Sequence, residues 1–222
     1  MEVKIIATGG HCNRLRAIAT GVAVAKKYHC PSVIYWNNRL GLKADYCELF
    51  NPIPQDDVKL VENIQWLYNI YGNKDYLVRW ALLKTMFEQT VFNFSIYRDG
   101  EIYSKLKMSY SRSLLLISCY PMCTKYTIQG MFVPQDDIQR RIDEVKESLE
   151  SKYPNRIITL MDDTDRNSLE GMKFAMVDQF CLSKTRKIIG SVASSYSQIA
   201  AEIGGIEIEY ANTSVRIKSQ KR

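Results

Sequence analysis

Apolar residues fall into short runs and helical stripes that take turns along the chain. Val3 to Thr8 alternate enough apolar character to form a strand, and Gly9-Gly10 follows as a tight turn that residues with a Cβ would resist. From Arg14 to Tyr28, Leu15, Ile18, Ala19, Val22 and Ala25 recur at helical spacing, with Asn13 as a cap and Lys26-Lys27 near the C-terminal dipole. Ser32 to Trp36 reads as a second strand, and Leu77 to Phe92 reads as an aromatic-rich helix. Leu114 to Cys119 is a continuous apolar run, the mark of a buried parallel strand. The spacing of Ile138, Ile142, Val145 and Leu149 predicts a helix from Asp136 to Lys152. Arg156 to Met161 then reads as a strand running into Asp162-Asp163-Thr164-Asp165. A helix carrying Asp178, a strand from Lys187 to Gly190 and a helix opening at about Ser195 complete the pattern. Strands alternating with helices predict an α/β chain whose first unit opens a doubly wound sheet.

Composition narrows the function classes. At 222 residues, 46% hydrophobic and 24% charged, the chain can bury a sizeable core. Its longest apolar run falls far short of the roughly 20 residues of a membrane span, and Met1 leads straight into a strand, so a cytoplasmic protein is expected. The six cysteines form no C-x-x-C pair and read as reduced, mostly buried thiols. With two histidines, no zinc site or Ser-His-Asp triad is indicated, and no metal is expected. The net charge of +6 invites a nucleic-acid reading, but four of the six excess charges, Arg216, Lys218, Lys221 and Arg222, sit in the terminal tail. No nucleic acid is expected as a partner. Such a tail more often adds solubility or a weak, peripheral attraction to the inner face of an anionic membrane.

Two turns carry candidate chemistry. The serine-rich turn before Ser195 would aim free backbone N–H groups at one spot on a helix N-terminus, which suits a phosphate; it would also serve as a plain helix cap. Gly9-Gly10 lacks both the dinucleotide fingerprint and the P-loop lysine, so a structural turn is its default reading. Asp162, Asp163 and Asp165 could hold a divalent metal or act as acid-base groups, or simply form an Asp-rich turn that caps the following helix, the preferred reading. His11, beside the glycine turn, is either a base or a structural hydrogen-bonding group. Residues between Pro52 and Tyr110 suggest no chemistry.

The stretch VDQFCLSKTRKIIGSVASSYSQIAAEIGG, from Val177 to Gly205, resembles the C-terminal motif of the fucosyltransferase-like glycosyltransferases, which include the nodulation and core alpha-1,6 enzymes. GGHCNRLRAIATGVAVAKKY is similar to the N-terminal signature of bacterial members, usually Gly-Gly-x-Gly-Asn-Arg-Leu-Arg-Ala-Ile; Cys12 here stands in place of a glycine and could narrow the space above the turn. The resemblance implies a GT-B-like fold of two Rossmann-type lobes with parallel sheets. An acceptor-side domain would span 1–133, and a shortened nucleotide-sugar-binding domain 134–222. It implies GDP-fucose as donor substrate, with no separate cofactor, and a glycan as acceptor, as in polysaccharide biosynthesis. Asp178 would face the guanine, and Ser194 and Ser195 the diphosphate. Gly9, Gly10, Asn13, Arg14 and Arg16 would face the cleft, the two arginines otherwise lying on a solvated helix face.

One family feature has no counterpart in this sequence. Members carry a strand ending in His-x-Arg-Arg-x-Asp before the segment matching Arg156 to Met161, and its arginine neutralises the departing diphosphate. Either Arg14, Arg16, Lys184 or Arg186 replaces that cation, or the chain is an inactive relative that binds a sugar nucleotide or glycan. The same gap would trim the second sheet to about three strands.

Overall fold

The computed structural model describes the chain apart from residues 37, 39–41, 43, 63–68, 70–75, 108–112, 153, 155–167, 192–193 and 211–222. Strand β1 (Val3–Ala7) leads into helix α1 (His11–Lys27), then β2 (Ser32–Tyr35), the one-turn helix α2 (Tyr46–Leu49) and β3 (Val58–Val61). Helix α3 (Tyr76–Met86), β4 (Gln89–Phe92), the short α4 (Ile96–Asp99) and β5 (Leu114–Ser118) complete the first sheet. The remainder comprises α5 (Asp136–Lys152), α6 (Leu169–Ser183), β6 (Ile188–Gly190), α7 (Ser195–Gly204) and β7 (Ile208–Tyr210).

The sheet of five strands has the order β3-β2-β1-β5-β4, and every neighbouring pair is parallel. Its centre is hydrocarbon on both faces, as a parallel sheet requires. Val3, Ile5 and Ala7 point to the same side as Leu114, Leu116 and α1, while Ile6, Leu115 and Ile117 point the other way, onto Leu83 and Phe87 around α3. Gly21 lets α1 close on β1, because a Cβ there would lie 2.7 Å from the Ile5 side chain. A smaller parallel sheet pairs β6 with β7 through Ile188 and Ile208. The expected strand from Arg156 to Met161 lies outside the described residues.

The chain is thus an α/β fold built on a five-stranded parallel sheet. Pro134, where the second predicted domain begins, forms a bridge with Phe50, and the Gln135 amide donates to the Cys47 and Phe50 carbonyls at 2.7 and 2.8 Å. A continuous apolar cluster runs from β1 and α1 through Phe50 and Phe132 to Met176, Val177, Phe180 and Ile199 of the last helices.

Two boundaries differ from the sequence pattern. Helix α1 starts at His11, not beyond Asn13, because extended Gly10 already acts as cap and its carbonyl accepts the Arg14 N–H at 3.1 Å. The helix predicted over Leu77 to Phe92 stops at Met86; Gln89-Thr90-Val91-Phe92, rich in β-branched and aromatic side chains, pairs instead with β5 as an edge strand.

Candidate functional site

The glycine turn sits at the carboxyl edge of β1, the edge at which open parallel sheets receive ligands. Gly9 has φ +82°, and a Cβ on it would lie 3.1 Å from the Cys119 Cβ, so glycine is required there on both counts. Gly10 has an ordinary backbone, and a Cβ on it would meet nothing within 4 Å. What Gly10 provides is open space over a helix end. Helix α1 has no side-chain cap bond at Gly10 and no acid in its first turn, so the positive end of 17 residues of aligned peptide dipoles faces that space. Asn13 is half-buried beside Gly9.

Helix α7 presents a second such end. Its cap, Ser194, makes no side-chain cap bond, and the first turn carries no acid. Ser194 and Ser195 are both half-buried. In the same turn the Tyr196 hydroxyl sits between the Ala175 carbonyl at 2.6 Å and Asp178 Oδ2 at 2.8 Å. Burial raises the Tyr196 pKa, and the Asp178 charge raises it further, so the phenol stays protonated and anchors Asp178 to the first turn of α7 through the Tyr196 side chain.

Gln179 ties these two helix ends together. Its amide nitrogen donates to Cys12 Sγ at 3.0 Å and lies 3.4 Å from the Tyr196 carbonyl, while its oxygen faces His11 Nε2 at 3.1 Å. One turn further along, Arg16 Nη2 donates to Gln198 Oε1 at 2.9 Å and lies 3.7 Å from Glu202. Contacts therefore progress in the same direction along α1 and α7, and both N-termini end at one place. The sequence pattern did not single out Gln179. Its one signal was a lone amide between Val177 and Phe180, in the middle of an apolar helix.

Three of the predicted residues, His11, Arg14 and Arg16, are interior groups. Arg14 is completely buried, with its Nε donating to the Gly9 carbonyl at 2.8 Å and its guanidinium 5.1 Å from the Trp36 ring centre. Arg16 is 5% exposed, so neither arginine lies on a solvated helix face. Burial pushes the Glu202 carboxyl up, while Arg16 and the Tyr126 hydroxyl, at 3.0 Å, hold it down. His11 stacks on Phe50 with ring centres 5.7 Å apart, and burial lowers its pKa to about 4, with the charge of Arg14 adding to the effect. It is a neutral imidazole, and the amide nitrogen of Gln179 faces Cys12, so His11 Nε2 carries the proton donated to Gln179. Cys12, which stands where the family pattern has glycine, turns inward to Gln179, and burial pushes its thiol up to about 11.

Lys184 and Arg186 are exposed and precede β6, at the opposite end of that strand from the α7 start. Asp162 and Asp163 lie outside the described residues. Among the described residues no three His, Cys, Asp or Glu side chains gather as metal ligands would, and no helix is long and apolar enough to cross a membrane.

No family model matches this sequence, nor does any curated protein. Solved structures do match by shape. The Arabidopsis thaliana FUT1, as a point mutant in complex with GDP, aligns with a TM-score of 0.64 over 94% of this chain and 69% of that one, at 12% identity. The fucosyltransferase NodZ from Bradyrhizobium aligns with a TM-score of 0.60 over 91% of this chain and 93% of that one, at 13% identity. NodZ alpha-1,6-fucosyltransferase soaked with GDP-fucose gives 0.59 over 96% and 95%, at 12% identity. The fold matches that of solved fucosyltransferases. At such identities the likeness concerns the fold alone, and the chemistry has to be argued from the residues above.

Proposed function

We propose that this chain is a glycosyltransferase that binds GDP-fucose and passes fucose to a hydroxyl of a glycan. The observation that carries this reading is a pair of helix N-termini, α1 with open space at Gly10 and α7 without a side-chain cap bond at Ser194, linked by Gln179 next to Asp178. Two aligned dipole ends favour a diphosphate, and a carboxylate anchored by Tyr196 suits the hydrogen-bond donors of a guanine edge. In the transfer the bond from fucose C1 to the diphosphate oxygen breaks, and its electron pair leaves with GDP. The acceptor oxygen bonds to C1, and its proton passes to a carboxylate, for which Asp162 and Asp163 are the candidates. Charge grows on the diphosphate as the bond breaks, and the fixed N–H groups of α7 stabilise it without reorganising. Apart from the α1 end, residues 1–133 would face the acceptor, 134–222 would hold the rest of the donor, and the basic tail would add weak attraction to an anionic membrane surface.

A second reading is favoured by the arginines. Arg14 and Arg16 are spent on buried contacts within the fold, so neither is poised at the helix ends, and a relative that binds the donor without turnover fits that arrangement. Calorimetry with GDP, followed by acceptor-dependent GDP release from GDP-fucose, separates the two. Binding with sustained release supports the transferase, binding without release supports the inert relative, and absence of GDP binding overturns both.

A further inference from the structure

The carboxyl edge of the sheet carries a second feature, beyond the donor cradle, on the β4 and β5 side. Beyond these strands the two segments are laced together. Ser118 Oγ donates to the Phe94 carbonyl at 2.9 Å and accepts the Tyr120 N–H at 3.0 Å. Asn93 N donates to the Ile117 carbonyl at 2.7 Å, and Ile96 N to the Pro121 carbonyl at 2.9 Å. A direct backbone bond thus joins the residue before Tyr97 to the residue after Tyr120. From this stiffened base both phenol rings stand out, Tyr97 76% and Tyr120 42% exposed. Arg98, the next residue after Tyr97, is itself held, its Nη2 donating to Asp99 Oδ2 at 2.9 Å and to the Asn93 carbonyl at 2.7 Å.

The base also adjoins the glycine turn. Thr8 N donates to the Ser118 carbonyl at 3.0 Å, and Cys119, the residue before Tyr120, is the neighbour that a Cβ on Gly9 would strike. Exposed rings add little to the core, and here they stand on a backbone fixed by four hydrogen bonds, next to the open end of α1. Large amphipathic rings with few rotamers give contact area at low entropic cost. The apolar C–H face of a pyranose stacks on such a ring, while its hydroxyls can bond the phenol oxygen of that ring and exposed Arg98, the residue after Tyr97.

We infer that Tyr97 and Tyr120 form a stacking platform for a pyranose unit of the acceptor glycan, at the β4/β5 side of the donor cradle. That the bound sugar is an acceptor rests on the glycosyltransferase reading; that the platform binds a sugar does not.

The test uses the full chain and an array of immobilised oligosaccharides that spans the common pyranose types. Wild type should retain at least one class of glycan. Each of Tyr97→Ala and Tyr120→Ala should weaken retention about tenfold, the range that loss of one stacked ring gives. Tyr120→Trp should keep the binding, because stacking and not the hydroxyl is the main contact. Both positions are exposed, so the variants should fold, and GDP affinity by calorimetry should stay within about twofold of wild type. Unchanged retention by the double alanine variant, or a wild type that retains no glycan, overturns the platform even when GDP binds. Loss of glycan in the double variant without any GDP binding to wild type upholds the platform and sinks the donor reading.

Discussion

Acid should expose how His11 is packed. Folding lowers its pKa from the ordinary 6.5 to about 4, chiefly through burial. Between those values the unfolded chain binds a proton that the folded chain refuses, so stability from this group is complete above the higher value and drains away as pH falls towards the lower one. The whole gap corresponds to about 3 kcal/mol, most of which should be gone between about pH 7 and about pH 4.5. His11→Gln removes the titrating ring but keeps an amide able to reach Gln179. At neutral pH it should cost about 1–2 kcal/mol, from the lost stack on Phe50 and imperfect filling of the site. At about pH 4.5 the order should reverse, with the variant the more stable by about 1 kcal/mol, because only wild type has lost the imidazole contribution. Urea unfolding followed by the fluorescence of buried Trp36 measures both chains across this range. Carboxylates shared by the two proteins cancel in the difference. Parallel stability profiles, with a constant gap at every pH, would refute a buried neutral His11.

The other predictions concern the helix ends and the tail. Gly9→Ala should lose about 1–3 kcal/mol in urea unfolding, from positive φ and the close Cys119 contact, whereas Gly10→Ala should cost less than about 1 kcal/mol yet weaken GDP binding by intruding on the open α1 end. Asp178→Ala should reduce GDP affinity in calorimetry about tenfold or more, with a smaller effect on a pyrophosphate probe; equal losses for both ligands would move the base away from Asp178. Deleting residues 211–222 should lower co-sedimentation with anionic lipid vesicles at low salt and leave GDP affinity unchanged.

Much of the first sheet could be read from the chain itself. Leu114 to Ser118 is hydrophobic at nearly every position, which only a strand buried on both faces tolerates, and the structure puts it beside β1 at the centre. Local pattern failed where two periods fit the same residues, as over Gln89 to Phe92, whose strand character is decided by the waiting edge of β5. The helix opening at Ser195 was legible from small residues alone. Burial of Arg14 and Arg16 was not. In a helix pattern these two read as solvent-facing, and what buries Arg16 is Gln198, 182 residues away. Gln179 escaped notice for the same reason, since its partners His11 and Cys12 come from the other end of the sequence.

The pairing of β1 with β5 bears on how the chain must be made. Val3 lies opposite Leu114, so the middle of the sheet joins residues separated by 111 positions. Such long-range closure is slow, and during synthesis β1 is available to β2 and β3 long before its other neighbour leaves the ribosome. Until then one side of a largely apolar strand stays unzipped, open to the same strand of another nascent copy. Polypeptides stalled short of residue 114 should therefore be the ones that clump or recruit chaperones, and those released just beyond Ser118 the first to escape.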